Sequence, residues 1–304
     1  MTRPSVDQPL GTRLLHDLAS DFRYGARMLR RRPGFTAVVV LTLALGIGAN
    51  TAIFSVVYGV LLRPLPYASP DRIVAVFEVN TKGRLARLAD PNFDDFRDQS
   101  RSFESIAKYN SYTESVSGTA QPTRTTIANV SPAFFSVFGV QPVLGRAFTA
   151  GDAKTGAGPT ALVSYGYWRR TLASSRDLSQ SHLKIGGSVF SVIGVLPDGF
   201  QFPAGVDVWL PAGLDGENPS RTSHNYSAVA RLRSGVSVDQ ASRDISTIAR
   251  RIHDSSNEQG DYRLKDGTVI PLQESITGKA RPALLLLLGA VGFLLLVACA
   301  NVAN

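Results

Sequence analysis

The stretch Gly151-Asp152-Ala153-Lys154-Thr155 comes nearest to a phosphate-binding loop. In such a loop backbone N–H groups cradle the phosphates and a glycine stands immediately before the lysine. Ala153 occupies that place, so nucleotide chemistry is not expected here. Ser164-Tyr165-Gly166 matches the second half of a nucleophile elbow, whose first glycine would fall at 162, where Leu162 stands. His16, His182, His224 and His253 are scattered, without a pair at metal-ligand spacing or a thiol partner. Asp94-Asp95 reads as the solvated side of a short helix. Trp168, Trp209, Tyr165 and Tyr167 could form an aromatic ligand patch, but packing inside a core explains them more simply. Asn129-Val130-Ser131 and Asn225-Tyr226-Ser227 fit the glycosylation sequon, a weak pattern. The residues give no nucleophile, base, metal or cofactor constellation, and the chain is read as a non-enzyme without a cofactor.

What must position any function is set by two uncharged apolar runs. Phe35 to Leu62 is 28 residues without an ionisable group, and Pro282 to Asn304 is uncharged to the end of the sequence. A hydrocarbon core about 30 Å thick needs roughly 20 helical residues. The first run is too long for a signal peptide's apolar stretch of about 7–15 residues. The reading is therefore a chain of four parts. Residues 1–34 form a cytoplasmic segment, 35–62 a first span, 63–281 an outer domain and 282–304 a second span that stops at the sequence end. Leu14, Leu15, Leu18, Phe22 and Leu29 recur at helical spacing and predict an amphipathic interfacial helix over 12–32, broken at Pro33-Gly34. Arg23, Arg27, Arg30, Arg31 and Arg32 crowd the entry to the first span. Cations beside a span stay cytoplasmic, which puts the N-terminus inside and 63–281 outside, with the arginines on anionic lipid headgroups. Residues 1–34 carry seven Arg and three Asp; residues 63–281 carry 25 Lys/Arg and 21 Asp/Glu spread through a long domain. The net +8 therefore says little about nucleic acid, and no nucleic-acid partner is expected. In the first span Ala44 and Gly48 make a small-xxx-small pair, with Gly46 and Asn50 close by. These four are the expected helix-packing residues, and Val39 is expected to face lipid.

Cys299, in the second run, is the sole cysteine, so the outer domain must be held by a hydrophobic core rather than disulfides. Its segments alternate in type. Strands are expected over Arg72–Val79, Thr123–Val130 and Tyr226–Leu232, with a hairpin of 182–185 and 188–195 around Gly186-Gly187. Helices are expected over Asn92–Ser100, from Ser131-Pro132 as cap to Phe138, over Tyr165–Leu172, and after the capping box Ser237-Val238-Asp239-Gln240. The last puts Val238, Ala241, Ile245, Ile248 and Ile252 on one face. Glycine-rich 149–159 and loop-like 211–224 bracket an inserted subdomain of roughly 150–222. The fold class expected is a membrane protein whose transmembrane α-helices flank a mixed α/β (α+β) domain of two subdomains.

Several segments in order resemble one family. Asp21 to Phe35 (DFRYGARMLRRRPGF) leads into Leu41 to Ser55 (LTLALGIGANTAIFS) and Leu62-Arg-Pro-Leu-Pro-Tyr67. Val130 to Phe135 (VSPAFF), Leu144 to Phe148 (LGRAF), Val163 to Trp168 (VSYGYW), Val192 to Phe200 (VIGVLPDGF), Val229 to Val236 (VARLRSGV) and Ala298 to Asn304 (ACANVAN) follow. Together they resemble the bacterial ABC-transporter permeases of the MacB/FtsX type, especially the acidobacterial duplicated permease group, over residues 20–304. The resemblance implies a MacB-like periplasmic core domain with a porter-like and an inserted subdomain, in a bacterial inner membrane. It implies a non-catalytic permease subunit that carries the motion of a separate ABC ATPase subunit to the periplasm, for export or mechanotransmission. Further partners it implies are membrane lipids, the remaining permease spans or a second permease protomer, and a periplasmic adaptor. The family has at least four spans, so this sequence is expected to be an N-terminal fragment, a truncated frame or half of a split gene. Arg176–Ser181 departs from the usual loop before the Gly186-Gly187 hairpin. A membrane-anchored sensor or receptor ectodomain is the alternative, decided by whether spans or a signalling module follow residue 304.

Overall fold

The computed structural model describes residues 30–118, 121–212, 220–256, 260–261 and 263–303. The helix expected over 12–32, with Arg23 and Arg27, falls almost wholly outside the described residues. The chain divides into a membrane unit, Met1–Arg63 with Thr277–Asn304, and an extramembrane unit, Pro64–Ile276.

Helix α1 (Pro33–Val57) continues as a π-turn over Tyr58–Leu62. Pro33 sits in its first turn, where the missing N–H costs no hydrogen bond. The hydroxyls of Thr42, Thr51 and Ser55 each donate to the carbonyl four residues back at 2.8 Å. In a hydrocarbon environment that satisfies the hydroxyls without a partner helix.

The extramembrane unit begins with β1 (Ile73–Asn80), β2 (Leu85–Ala86), α2 (Asp90–Gln99), β3 (Phe103–Ser117) and β4 (Thr123–Val130). There follow α3 (Phe134–Phe138), β5 (Leu144–Gly145), β6 (Thr160–Val163), α4 (Tyr165–Thr171), β7 (His182–Ile185), β8 (Ser188–Val195) and β9 (Val208–Pro211). It closes with β10 (Ser227–Leu232), α5 (Val238–Ser255), β11 (Leu264–Pro271) and α6 (Leu272–Thr277). The strands share one sheet ordered β11-β1-β10-β3-β4-β9-β6-β8-β5, with β2 on β1. Two halves are built on it. The first runs β1-α2-β3 and β10-α5-β11, with all four strands antiparallel and ordered β11-β1-β10-β3. This is a split βαβ pattern. Period-two alternation explains its two cores. Val74, Val76, Ala228 and Ala230 point to α2 and α5; Ile73, Ala75 and Val229 point the other way, into an aromatic cluster.

The second half extends the first. β7 pairs with β8 and also with the far end of β3, Val116 opposite Ile185. The pairings β3-β4-β9-β6-β8-β7-β3 therefore return on themselves. Inside that ring lies a third core with Val116, Ile127, Leu183, Val192 and Val208. The segment between β4 and β10 runs from 131 to 226, so the expected borders near 150 and 222 both fall within it.

Several local expectations meet the structure directly. Ser237 accepts from Gln240 N at 3.2 Å and Gln240 Oε1 accepts from Ser237 N at 2.8 Å, a complete capping box. Ala241, Ile245, Ile248 and Ile252 are buried on one face of α5. Ser131, expected as a helix cap, is not one. Its hydroxyl accepts from Lys108 N at 3.1 Å, and α3 starts three residues later behind Ala133. The loop at 149–159 is folded around Asp152, which accepts from both Arg146 guanidinium nitrogens and from Thr149. The Arg146 hydrogen bonds are the main force holding its carboxyl far below the usual carboxylate range, against burial.

Helix α7 (Arg281–Ala303) completes the membrane unit. Thr36–Leu62 has mean hydropathy 2.1 and Arg281–Asn301 has 2.8, both long and apolar enough to cross a bilayer.

Candidate functional site

The two membrane helices meet along a defined seam. On α1 the half-buried positions include Val39, Leu43, Gly46, Asn50 and Ile53; on α7 they include Leu284, Leu288, Val291 and Leu295, with Ala298 buried. Both sets step by three and four residues, the spacing of a coiled-coil seam. Asn50 Nδ2 donates to Gly46 O and, across the seam, to Val291 O, each at 3.2 Å. A Cβ on Gly46 would lie 2.9 Å from Leu295 Cδ1. The pairs 46/295 and 50/291 run in opposite senses, so the helices are antiparallel.

The four expected packing residues are thus divided. Gly46 and Asn50 meet α7; Ala44 and Gly48 are exposed, and a Cβ at 48 would meet nothing within 4 Å. Helix geometry gives the reason. At about 100° per residue, positions two apart lie on opposite sides, and positions four apart on the same one. Val39, expected toward lipid, lies on the seam. Gly46→Leu should therefore weaken pairing of the two helices by on the order of 1 kcal/mol, whereas Gly48→Leu should leave it intact. Disulfide trapping between cysteines placed on α1 and α7, in a Cys299→Ser background, reads the difference. Equal trapping in both variants would contradict the seam. Of the basic cluster, Arg30, Arg31 and Arg32 are exposed at the head of α1.

In the extramembrane unit, both ends of the chain are rooted in one place. Leu65 and Tyr67, at its entry, pack against the aromatic cluster, and Leu272, at its exit, is buried within it. The Tyr67 ring lies 4.8 Å from that of Phe138 and 5.8 Å from that of Phe200. Around them Phe134, Phe135, Phe148, Phe202 and Trp209 interlock. Burial pushes the Tyr67 phenol up to about 12, with a backbone hydrogen bond from Gln201 opposing it. The segment arriving from α1 and the segment leaving toward α7 are therefore both packed into this aromatic cluster. Sequence reasoning missed this anchor, although Tyr67 and Phe134-Phe135 stood within two of the quoted motifs.

The groups that suggested chemistry are placed otherwise. Ser164 caps α4, accepting from Tyr167 N at 3.0 Å, and donates to Asp207 Oδ1 at 2.5 Å. It lines a cleft of about 390 Å³ with Arg170, Asp198 and Gln201, and no histidine borders it. His253 Nδ1 lies 2.6 Å from Leu264 O, and His224 Nδ1 lies 3.2 Å from the buried Glu78. Among the described residues no three His, Cys, Asp or Glu are gathered to hold a metal. The four aromatics do not form one patch: Trp209 lies in the aromatic cluster, while Tyr165, Tyr167 and Trp168 pack at the ring-shaped core. A buried ion pair was not foreseen. Lys108 Nζ lies 2.6 Å from Asp90 Oδ1, both about 1% exposed, with the Tyr226 ring centre 4.9 Å and the Phe93 ring centre 5.6 Å from the ammonium.

A family model described as the MacB-like periplasmic core domain matches residues 36–248. A domain of a Porphyromonas gingivalis protein assigned as a permease is similar in structure, with TM-score 0.52 and 19% identity over 67% of this chain and 92% of that one. The periplasmic region of MacB from Actinobacillus actinomycetemcomitans gives TM-score 0.50 and 13% identity, covering 76% of this chain and 98% of that one. Likeness at such identities is a likeness of fold. No curated protein matches the sequence.

Proposed function

The chain belongs to the MacB-like periplasmic core domain family, and from that premise we propose that it is a non-catalytic permease subunit of an ABC-type export or mechanotransmission system. It is a membrane protein of permease type with a periplasmic domain. In the proposed system a separate ATPase subunit hydrolyses ATP on the cytoplasmic side of the inner membrane, where the N-terminus lies. The membrane helices carry the resulting motion to the periplasmic unit. The remaining permease spans or a second protomer would pack on the Ala44/Gly48 side of α1, which α7 leaves open. A periplasmic adaptor completes the route.

The observation that carries this reading is the double anchorage of the extramembrane unit. Only Arg63 separates the π-turn of α1 from that unit, and Leu65, Tyr67 and Leu272 fix both of its ends in one aromatic cluster. A close-packed core transmits displacement, where a flexible linker would absorb it.

The test uses the chain assembled with its ATPase and further spans, carrying spin labels on β7 and β10. ATP should change the interlabel distance in the wild type. Tyr67→Ala should reduce that change at least severalfold while leaving ATPase turnover in place. The chain alone should not bind magnesium–ATP. Saturable nucleotide binding by the chain alone, or an unaltered distance change in Tyr67→Ala, would count against the proposal.

A further inference from the structure

The cleft of about 390 Å³ in the extramembrane unit has no part in the transport reading. Three segments line it: the start of α4, the turn after β8 at 197–201 and the turn before β9 at 205–207. Phe200 and Val206 among its lining are buried and apolar. Phe200 belongs to the aromatic cluster, its ring 5.8 Å from that of Tyr67 and 5.7 Å from that of Trp209. The charges around this floor are unequally matched. Asp207 is answered twice: Ser164 Oγ donates to its Oδ1 at 2.5 Å and Arg170 Nη2 to its Oδ2 at 3.0 Å. Gly166 leaves room for that guanidinium, since a Cβ there would lie 2.8 Å from Arg170 Nη1. Asp198 is exposed, and among the described residues no cation or donor meets its carboxylate. One negative charge in the cleft is therefore left unanswered.

We propose that this cleft binds the basic side chain of a peptide, a lysine or arginine whose cationic head meets Asp198. An ammonium or guanidinium gains charge-assisted hydrogen bonds from a carboxylate. The ring of Tyr165, which borders the cleft, offers the same cation a second attraction. The apolar stem of either side chain suits a floor of Phe200 and Val206. A concavity of this size, apolar beneath and with a few polar groups around it, has the usual make-up of a ligand site. The rim favours a peptide over a free amine. Gly199 and Gly205 lie at φ +87° and +77°, and a Cβ at either would meet nothing within 4 Å. Their main chain is therefore bare, and neither N–H donates to a backbone carbonyl among the described residues. An extended peptide backbone can hydrogen-bond there while its side chain enters the cleft. An anionic ligand is disfavoured, because the guanidinium of Arg170 is already paired with Asp207. The site does not depend on the transport reading.

The experiment titrates the full chain in detergent with the tripeptide Gly-Lys-Gly, blocked at both ends so that only the side chain is charged. Tryptophan fluorescence reads occupancy, because the Trp168 ring lies 5.3 Å from that of Tyr165 and the Trp209 ring 5.7 Å from that of Phe200. Wild type should show saturable binding. The norleucine peptide, which keeps the stem without the charge, and the glutamate peptide should each bind about tenfold more weakly or worse. Asp198→Asn should weaken the lysine peptide by about tenfold. Asp198→Glu keeps the charge and should keep most of the affinity, which also reports that a change at this position leaves the cleft folded. Cadaverine, a diamine without a peptide backbone, should bind more weakly than the peptide. No saturable binding by wild type, undiminished binding in Asp198→Asn, equal binding of the norleucine or glutamate peptide, or tighter binding of cadaverine would each overturn the proposal.

Discussion

Asp90→Ala should cost about 3–5 kcal/mol of the extramembrane unit's stability, the largest loss expected of any single polar substitution. Lys108 reaches Asp90 from β3 across the face that α2 and α5 cover, and both side chains are cut off from water. Removing the carboxylate takes away the hydrogen-bonded partner and leaves the ammonium buried against the rings of Phe93 and Tyr226. Those faces attract a cation but do not replace a hydrogen-bonded counter-ion. The Asp90→Leu, Lys108→Met double variant removes both charges and should recover most of the loss, because the desolvation cost disappears with the pair. Urea unfolding of the full chain in detergent, followed by tryptophan fluorescence, gives the midpoints. If Asp90→Ala alone unfolds like wild type, the pair contributes no stability.

Phe135→Ala should be of similar size, about 3–5 kcal/mol, for an unrelated reason. Its ring meets those of Phe134 at 5.4 Å, Phe200 at 5.7 Å, and Phe148 and Trp209 at 6.1 Å. It is 2% exposed, so truncation opens a void among rings that cannot collapse without shifting the roots at Tyr67 and Leu272. The same urea experiment should show a lower midpoint, and the native emission of Trp209 should change before any unfolding. Phe135→Leu should cost clearly less. Identical emission and midpoint in Phe135→Ala would show that the cluster is loosely packed.

The parts legible in the sequence were those written in local signals. Long uncharged runs, the Ser237 capping box and the turn at Gly186-Gly187 each state their structure within a few residues. β3 and β11 were not read, because their patterns answer to distant partners. On β3, Lys108 stands where an apolar residue would reveal the alternation, and its charge is answered by Asp90, eighteen residues upstream. Ser131 looked like a cap because Pro132 follows it, yet its hydroxyl serves the neighbouring strand. Ala44 and Gly48 were grouped with Gly46 and Asn50 by closeness in sequence, which on a helix does not mean one face. Two motifs of the family resemblance, at 144–148 and 192–200, find their reason in contact. Gly145 and Gly194 lie opposite each other in the β5–β8 ladder. With φ +76° at Gly145, a Cβ there would come 2.1 Å from Ile193 O.

The ring of strands bears on how such a domain can change over evolutionary time. Two of its six staves, β3 and β4, are continuous with the split βαβ half: β3 pairs with β10 near one end and with β7 at the other. The segment from 131 to 226 is therefore not a cassette that recombination could lift out or exchange whole. Excision would leave the far halves of β3 and β4 as an unpaired hairpin with Val116 and Ile127 stripped of cover. A foreign replacement would have to match that hairpin's register residue by residue. Variation among relatives is expected to accumulate instead in the connections, such as the one preceding β7, where length can drift while the staves keep their places.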